Sequence, residues 1–223
     1  MLDRPRTQLE INRFRRESLI AATLSVIAEK GIDKTTIADI CTAVGVSRGL
    51  ANHYFDSKDQ LLAAAYEALY LRLEEIWTAA TEQEASPARK ILTTICVTLT
   101  QDFFQPTIRA ASLSFWSAAL SNPALAVINR ERYGRYHRSM TDLFAEAARE
   151  RGVGIDAQRA ALTVIGAIDG RWLGLALNNG QFDASEAYSA CKTLVGRLLF
   201  APADDPDFAE PLHCERKDKL GPK

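Results

Sequence analysis

Apolar residues recur at intervals of three and four along most of this chain, and the strict alternation that marks strands is scarce. Such spacing places apolar side chains on one face of an α-helix. Leu19, Val26 and Ile27 share one such face, and Gly31 follows them as a candidate left-handed C-cap. The sequence therefore predicts an almost entirely helical fold, with a first helix from about residue 13 to residue 30.

The composition is that of an ordinary globular protein. Hydrophobic residues make up 47% of the 223 residues and charged residues 25%, which excludes a collagen-like or wholly disordered chain. This length suits one core, or one small domain joined to a larger one. The formal net charge is -1, so any binding to nucleic acid must come from local placement of residues and not from an overall basic surface.

The cysteines and the N-terminus bear on cofactors and location. The four cysteines are widely spaced without a C-x-x-C pair, which favours reduced thiols over a zinc site or a disulfide framework. The Arg-rich stretch 1–16 lacks the apolar core of a signal peptide. The apolar stretch 160–177 carries Asp169 and Arg171 at its centre and fits a membrane span poorly. We expect a cytoplasmic protein with no metal, no cofactor and no membrane partner.

Residues 36–55 are typical of two short helices joined by a tight turn. Thr36, with Asp39 three residues on, forms a capping box that starts the first helix. Gly45 can take the positive φ that the turn demands, and Ser47 caps the second helix. This arrangement is a helix-turn-helix unit, in which the N-terminal half of the second helix enters the major groove of DNA.

The second short helix carries a candidate DNA-reading face. Leu50 and Ala51 are expected to hold this helix on the core. A further capping motif, Ser57 with Gln60, starts the next helix, and the free N–H groups at such helix starts suit phosphate oxygens. The residues expected to face outward are Arg48, Gly49, Asn52 and His53.

Proline, asparagine and aspartate residues punctuate the remainder of the chain. Pro87, Pro106 and Pro123 each suit the first turn of a helix, and Asp156 and Asp183 suit the caps of the last two helices, which end near residues 177 and 200. Prolines among acidic residues after residue 200 predict a flexible tail. The predicted divisions are an N-terminal arm over 1–10, a helix-turn-helix domain over 11–62, a larger helical domain over 63–200 and the tail over 201–223.

Three runs in the first predicted domain resemble the DNA-binding domain of TetR-family transcriptional regulators. They are Thr-Thr-Ile-Ala-Asp-Ile from residue 35, Ala-Val-Gly-Val-Ser-Arg-Gly from residue 43 and His-Tyr-Phe-Asp-Ser-Lys-Asp-Gln-Leu-Leu from residue 53. The resemblance covers about residues 19–65 and departs from the family at Cys41, where alanine is usual. It implies an all-α protein with a three-helix helix-turn-helix domain and a larger helical domain for effector binding and dimerisation.

The resemblance also assigns roles by position. Ser47, Arg48, Gly49, Asn52 and His53 match the segment that reaches bases and nearby phosphates, and Thr36, Tyr54 and Lys58 match positions that clamp the DNA backbone. The arginines at 4, 6, 13, 15 and 16 would add a mobile arm on the DNA, or they would simply form a solvated charged terminus.

Further runs resemble one branch of this family, the choline-responsive repressors of betaine-synthesis operons, called BetI-type. These runs begin at Ala111 (Ala-Ser-Leu-Ser-Phe-Trp-Ser-Ala-Ala-Leu-Ser-Asn-Pro), Arg132 (Arg-Tyr-Gly-Arg-Tyr-His-Arg) and Ala167 (Ala-Ile-Asp-Gly-Arg-Trp-Leu). The branch implies a repressor that binds a palindromic operator as a homodimer and is released by a small effector, with choline as the first expectation. The alternative is a regulator of efflux or catabolic genes that senses another small ligand.

Aromatic residues and one acid are the candidates for the effector site. Ring faces attract a quaternary ammonium cation by about 0.5 to 2 kcal/mol each, but aromatics at helical spacing also serve as core. Asp169 lies on an otherwise apolar helix and needs either Arg171 or another arginine, or a cationic ligand. The candidates are Phe103, Phe115, Trp116, Tyr133, Asp169 and Trp172, with Tyr136 as a further ring.

Gly166, Gly170 and Gly174 repeat at every fourth residue and would let another helix approach closely. That helix belongs either to a second copy of the chain, which would make these residues a dimer interface, or to the same chain. Two rival functions also remain open. One is a helical enzyme with Asp169 or His137 as acid or base, and the other is a constitutive DNA-binding protein without an effector.

Overall fold

A computed structural model describes residues 7–99, 105–178, 183–202, 204–209 and 212 of the chain. All regular structure among these residues is helical, as the apolar spacing predicts. The helices are α1 (Gln8–Lys30), α2 (Ile37–Val44), α3 (Arg48–Tyr54), α4 (Lys58–Thr81), α5 (Pro87–Leu99), α6 (Pro106–Ala119), α7 (Pro123–Arg151), α8 (Ala157–Leu177), α9 (Ala184–Leu198) and α10 (Pro206–Ala209).

The chain divides into two compact units that differ from the domains expected at the boundary 62/63. Unit 1 comprises Met1–Arg72 with Pro106–Glu131, and unit 2 comprises Leu73–Gln105 with Arg132–Lys223. The physical reason is that α6 and the first part of α7 join the core of the N-terminal helices. The division therefore falls within α4 and within α7, and not between two helices.

The core of unit 1 joins α1 to α6 and to the helix-turn-helix. Leu19 and Ile27 of α1, Ile40 of α2, Ala51 of α3 and Phe115 of α6 are all buried in one cluster. Ala51 therefore holds α3 on the core, as expected. Because α6 packs along α1, a segment far away in the sequence stabilises the helix that precedes the helix-turn-helix.

The first helix begins five residues earlier than the sequence predicts, at Gln8. Thr7 is its N-cap, and Glu10 completes a capping box by accepting a hydrogen bond from the Thr7 backbone N–H at 3.0 Å. The predicted arm over 1–10 is therefore wrong for its last residues, and Arg13, like Arg15 and Arg16, belongs to a helix and not to a mobile arm. Arg4 and Arg6 lie outside the described residues.

The remaining helix boundaries follow the punctuation of the sequence. Prolines open α5, α6 and α7, and Asp156 and Asp183 cap α8 and α9. Gly31 differs from expectation, because it ends α1 at φ 78° and ψ 159°, an extended positive-φ conformation and not the left-handed helical one. In contrast, Gly45 has the left-handed conformation at φ 73° and ψ 35°.

Unit 2 is built around α5, of which 11 of 13 residues are buried. Helices α8 and α9 pack against α5 and against each other. Eight residues of α8 are buried, including Val164, Ile168 and Trp172. By length and composition α8 could cross a membrane, and so could α6 and α7 if joined, although they meet at 116°. One face of α8 packs into unit 2, against α5 and α9.

The predicted flexible tail is wrong for part of its length. Asp205 is 7% exposed and Leu212 is 1% exposed, and α10 contacts α5. The Arg151 guanidinium at the end of α7 donates hydrogen bonds to both carboxylate oxygens of Asp205 and, at 2.6 Å, to Asp207. The segment is poor in apolar residues, and the interactions that order it come from Arg151, which is more than fifty residues away in the sequence. A local pattern of residues could not predict these interactions.

The cysteines also differ in part from expectation. Cys41 and Cys191 are free and buried, but Cys96 is disulfide-bonded. Spacing along a sequence does not reveal a pairing between cysteines that only the fold brings together.

Candidate functional site

The helix-turn-helix is set by its caps and by its turn. Thr36 and Asp39 form the predicted capping box at the start of α2, and Gly45 ends the helix. The Ser47 side chain accepts a hydrogen bond from the Leu50 backbone N–H at 3.2 Å and so starts α3. Cys41 is 4% exposed, and its thiol donates to the Ser47 carbonyl oxygen at 3.8 Å. Cys41 is therefore accommodated in the core, at the position where the resemblance predicts alanine.

The outward face of α3 matches the face expected to read DNA. Ala51 is 2% exposed and points to the core, whereas the four residues predicted to face outward are exposed. Ser47, at the N-cap, is exposed as well. The exposed set is Arg48, Gly49, Asn52 and His53. A helix N-terminus with exposed donors and acceptors has the form needed to contact base edges and phosphates in a major groove. Which of these residues contact bases and which contact phosphates stays a prediction.

The three candidate clamp residues lie at helix ends. Thr36 is exposed at the start of α2. Tyr54, at the end of α3, donates its hydroxyl to Asn12 Oδ1 at 3.0 Å and so ties α3 to α1. Lys58, at the start of α4, donates to the Ile32 carbonyl oxygen at 3.4 Å. Tyr54 and Lys58 therefore also hold the unit together, a structural role that sequence reasoning missed.

An ion pair beside the helix-turn-helix was also missed. Lys30 Nζ lies 2.7 Å from Asp39 Oδ1. The hydrogen bonds from Lys30 and then from Thr36 lower the pKa of Asp39 to about 2. The same carboxylate thus caps α2 and links it to the end of α1. The signal in the sequence is Lys30 itself, a cation in the last turn of α1, but its partner nine residues on could not be identified from helical spacing.

The candidate effector residues are divided between the two units. Phe115 and Trp116 belong to unit 1, where Phe115 is fully buried and stacks on Tyr66 with ring centroids 4.4 Å apart. Tyr133, Asp169 and Trp172 belong to unit 2. Phe103 lies outside the described residues. The packing of Phe115 is that of a core residue, the alternative considered for every ring.

In unit 2, Asp169 of α8 is paired with a tyrosine of α7. The Tyr133 hydroxyl donates a hydrogen bond to Asp169 Oδ2, whereas Arg171 is exposed. The arginine partner considered from the sequence is therefore not the one that Asp169 uses. Burial raises the pKa of Asp169, and the hydrogen bond from Tyr133 and the nearby His137 oppose that shift. A partly buried carboxylate beside aromatic rings is a place where an organic cation gains attraction.

Two further aromatic residues, Tyr136 and Trp77, lie next to this pair, and the sequence indicated only Tyr136 as a candidate ring. The Tyr136 ring stacks on the Trp77 ring at a centroid distance of 5.0 Å and an interplanar angle of 5°. Trp77 donates its indole N–H to Thr98 at 2.9 Å. The Tyr133 ring lies 4.7 Å from the His137 ring. Positions 133, 136 and 137 share one face of α7 at helical spacing, which was the available signal. Trp77 is on another helix and gave none.

The glycines at every fourth position lie on an open face of α8. Gly166 and Gly170 are exposed, and a Cβ atom added at any of the three glycines would meet no atom within 4 Å. Large apolar side chains flank this face, namely Leu162 at 58%, Leu173 at 40% and Leu177 at 63% exposed. Among the described residues, no helix of the same chain packs on the glycines.

Comparison with known proteins agrees with this geometry. Residues 19–65 match the model of the bacterial regulatory proteins, tetR family, and residues 87–199 match that of the BetI-type transcriptional repressor, C-terminal. An HTH-type transcriptional regulator BetI from Paraburkholderia phymatum is 31% identical over 193 residues, which span 85% of this chain and 95% of that protein.

Solved structures share the fold. A transcriptional regulator from Pseudomonas aeruginosa PAO1 has a TM-score of 0.77 at 28% identity and covers 84% of this chain and 91% of its own. A regulator from Saccharomonospora viridis, solved in complex with choline, has a TM-score of 0.73 and covers 82% and 96%, and at 16% identity it shows the fold alone. With a helix-turn-helix in unit 1 and a matched domain over 87–199, the chain belongs to the TetR family of transcriptional regulators and carries a BetI-type repressor C-terminal domain.

Proposed function

We propose that this repressor binds a near-palindromic operator as a homodimer and is released from it by a small quaternary ammonium compound, with choline as the first candidate. The observation that carries the effector class is the partly buried Asp169, which is bonded to Tyr133 and lies on a helix otherwise rich in apolar residues. The choline complex of the Saccharomonospora viridis regulator supports the same class of ligand.

The dimer is supported by the open glycine face of α8. Glycines let two helices approach closely, and exposed leucines beside them supply apolar area that is costly to leave in water. A two-fold symmetric dimer presents two α3 helices, as two half-sites one or more helical turns apart require. The interface would include Gly166, Gly170 and Gly174.

Regulation follows from a coupling between effector binding and DNA binding. The effector would bind one conformation of the dimer better and so shift the population away from the conformation that fits the operator. Such couplings are typically about 1 to 3 kcal/mol, or roughly 5- to 150-fold in DNA affinity. A cation beside Asp169 would act on α7 and α8 together, since Tyr133 and Asp169 lie on these two helices.

The test is fluorescence anisotropy of the purified protein on labelled DNA from upstream of its own gene, at fixed salt, with and without millimolar choline. Site-specific binding that choline weakens supports the proposal. Specific binding that choline leaves unchanged removes the choline assignment and favours a regulator of efflux or catabolic genes that senses another ligand. Binding unmoved by any metabolite would indicate a constitutive DNA-binding protein.

A charge substitution tests the site itself. Asp169→Asn should leave DNA affinity without effector within twofold and should raise the choline concentration needed for release by about tenfold or more, because the cation loses its counter-charge. Asp142→Asn is the matched control, since it removes the same charge from an exposed position of α7 and should change neither quantity. Equal responses of the two variants to choline would contradict the role of Asp169.

A further inference from the structure

The hydroxyl of Tyr136 is buried and has no hydrogen-bond partner among the described residues. Buried polar atoms are nearly always paired, because an unpaired donor loses its bonds to water and gains nothing in return. An orphaned hydroxyl therefore requires an explanation in the function of the protein or in a molecule that binds to it. The role of Tyr136 as an aromatic ring accounts for its packing but not for this oxygen.

The ring of Tyr136 is held in place from one side. It stacks flat on the Trp77 ring, and Trp77 is itself fixed by the hydrogen bond from its indole N–H to Thr98. Rotating Tyr136 to bring its hydroxyl to solvent would break this stack. The hydroxyl is therefore a preorganised donor, and preorganised groups contribute more to binding because no ordering cost is paid on association.

Tyr136 neighbours the hydrogen-bonded pair of Tyr133 and Asp169 in the candidate effector site. Tyr133 precedes Tyr136 by one helical turn on α7, with ring centroids 6.3 Å apart, and Tyr133 is bonded to Asp169. Burial raises the pKa of Tyr136, and the charge of Asp169, then Tyr133 and Cys191, raise it further. Tyr136 thus stays protonated at working pH and can act as a donor.

We propose that Tyr136 is a specificity-determining residue of this site, and that it selects a quaternary ammonium compound which also carries a neutral oxygen acceptor, an alcohol or an aldehyde. This inference rests on the proposed function. The ammonium group lies toward Asp169 and the oxygen accepts the Tyr136 hydroxyl. A carboxylate in place of the neutral oxygen is disfavoured, since it would bring a second negative charge close to Asp169 in a partly buried place.

The experiment compares three probes on the purified full-length protein by calorimetry: tetramethylammonium, which has no oxygen, choline, which has a hydroxyl, and glycine betaine, which has a carboxylate. The native protein should bind choline about tenfold more tightly than tetramethylammonium, the gain typical of one buried hydrogen bond. It should bind glycine betaine at least tenfold more weakly than choline. Comparable affinities for choline and glycine betaine would overturn the selection of a neutral oxygen.

Tyr136→Phe removes the hydroxyl and keeps the ring. In this variant choline affinity should fall by about tenfold to the level of tetramethylammonium, whose own affinity should not change. Tyr70→Phe, which removes a hydroxyl from α4 in unit 1, is the matched control and should preserve the preference for choline. A thermal melt of each variant confirms that it is folded.

Two failures are distinguishable. If Tyr136→Phe weakens both ammonium probes equally, or neither, the specificity role is overturned while the ammonium site stands, provided that Asp169→Asn still weakens tetramethylammonium. If the native protein binds neither ammonium probe, the proposed effector class is overturned and the role of Tyr136 with it.

Discussion

The contact between Arg151 and the segment after α9 makes a strong prediction about stability. Arg151 holds Asp205 with two hydrogen bonds and Asp207 with a third, and its guanidinium carbon lies 5.4 Å from the centroid of the Phe208 ring. Asp207 in turn accepts the Ser86 hydroxyl at 2.8 Å, next to the start of α5. One arginine therefore joins the end of α7, the C-terminal segment and the start of α5.

The magnitude follows from the burial of these groups. The side chains of Arg151 and Asp205 are 16% and 8% exposed. Breaking a buried ion pair by removing one partner typically costs about 3 to 5 kcal/mol, because the other charge is left buried and unpaired. Since Asp207 is more exposed and can regain water, we expect Arg151→Met to lower the free energy of unfolding by about 3 kcal/mol, or the melting temperature by roughly 6 to 12 °C.

Urea and thermal unfolding of Arg151→Met measure this loss, and Arg149→Met is the control. Arg149 is exposed in the same last turn of α7 and should change stability by about 0.5 kcal/mol or less. In a protein that already carries Asp205→Asn, Arg151→Met should lower the free energy of unfolding much less than it does in the native protein, because the two residues act as a pair. A loss below about 1 kcal/mol in Arg151→Met would show that the C-terminal segment is not docked through this arginine.

The same pair predicts a dependence on pH. The hydrogen bonds from Arg151 hold the pKa of Asp205 below its usual range. A carboxyl whose folded pKa lies below its unfolded value, about 3.9 for aspartate, stabilises the folded state above that unfolded value. The contribution is lost as pH falls through the folded pKa. The stability difference between the native protein and Arg151→Met should therefore be constant near neutral pH and should narrow in acid, below about pH 4.

Two further predictions concern the dimer and the DNA. Gly170→Glu places a charged side chain on the open face of α8 and should shift the protein toward monomer in analytical ultracentrifugation. Its helical content should not fall. A dimer that is unchanged in this variant would exclude this face as the interface. Lys58→Ala should weaken binding to all DNA sequences and lower the salt slope by about one, whereas Asn52→Ala should mainly reduce discrimination between sites, by about 1 to 3 kcal/mol. Equal losses on random DNA for both variants would contradict a base-reading role for Asn52.

Much of the fold could be predicted because its signals are local. A capping box needs two side chains three residues apart, so Thr36 with Asp39 indicated the start of α2. Gly45 indicated a positive φ, since other residues pay a steric cost there. The first helix is the exception, because its start at Gln8 depends on a capping box between Thr7 and Glu10 that lies ahead of the apolar face.

The candidate sites were predictable only in part. The outward face of α3 follows from helical spacing and the burial of Ala51, so residues 48, 49, 52 and 53 could be placed. The effector residues could not be grouped, because spacing along one helix does not say which other helix lies opposite. Phe115 and Tyr133 were equal candidates from the sequence. In the structure Phe115 is a core residue of unit 1, whereas Tyr133 is hydrogen-bonded to Asp169 in unit 2.

The helical class, the helix-turn-helix and the family could all be predicted from the amino-acid sequence, since they depend on periodicity, on caps and on motifs within a few residues of each other. The contacts between residues far apart in the chain become known only from the fold: Asp169 with Tyr133, Tyr136 with Trp77, and Arg151 with Asp205. A side chain's partner on another helix depends on the rotation and offset of whole helices. These are decided by the packing of the entire core and not by any local run of residues.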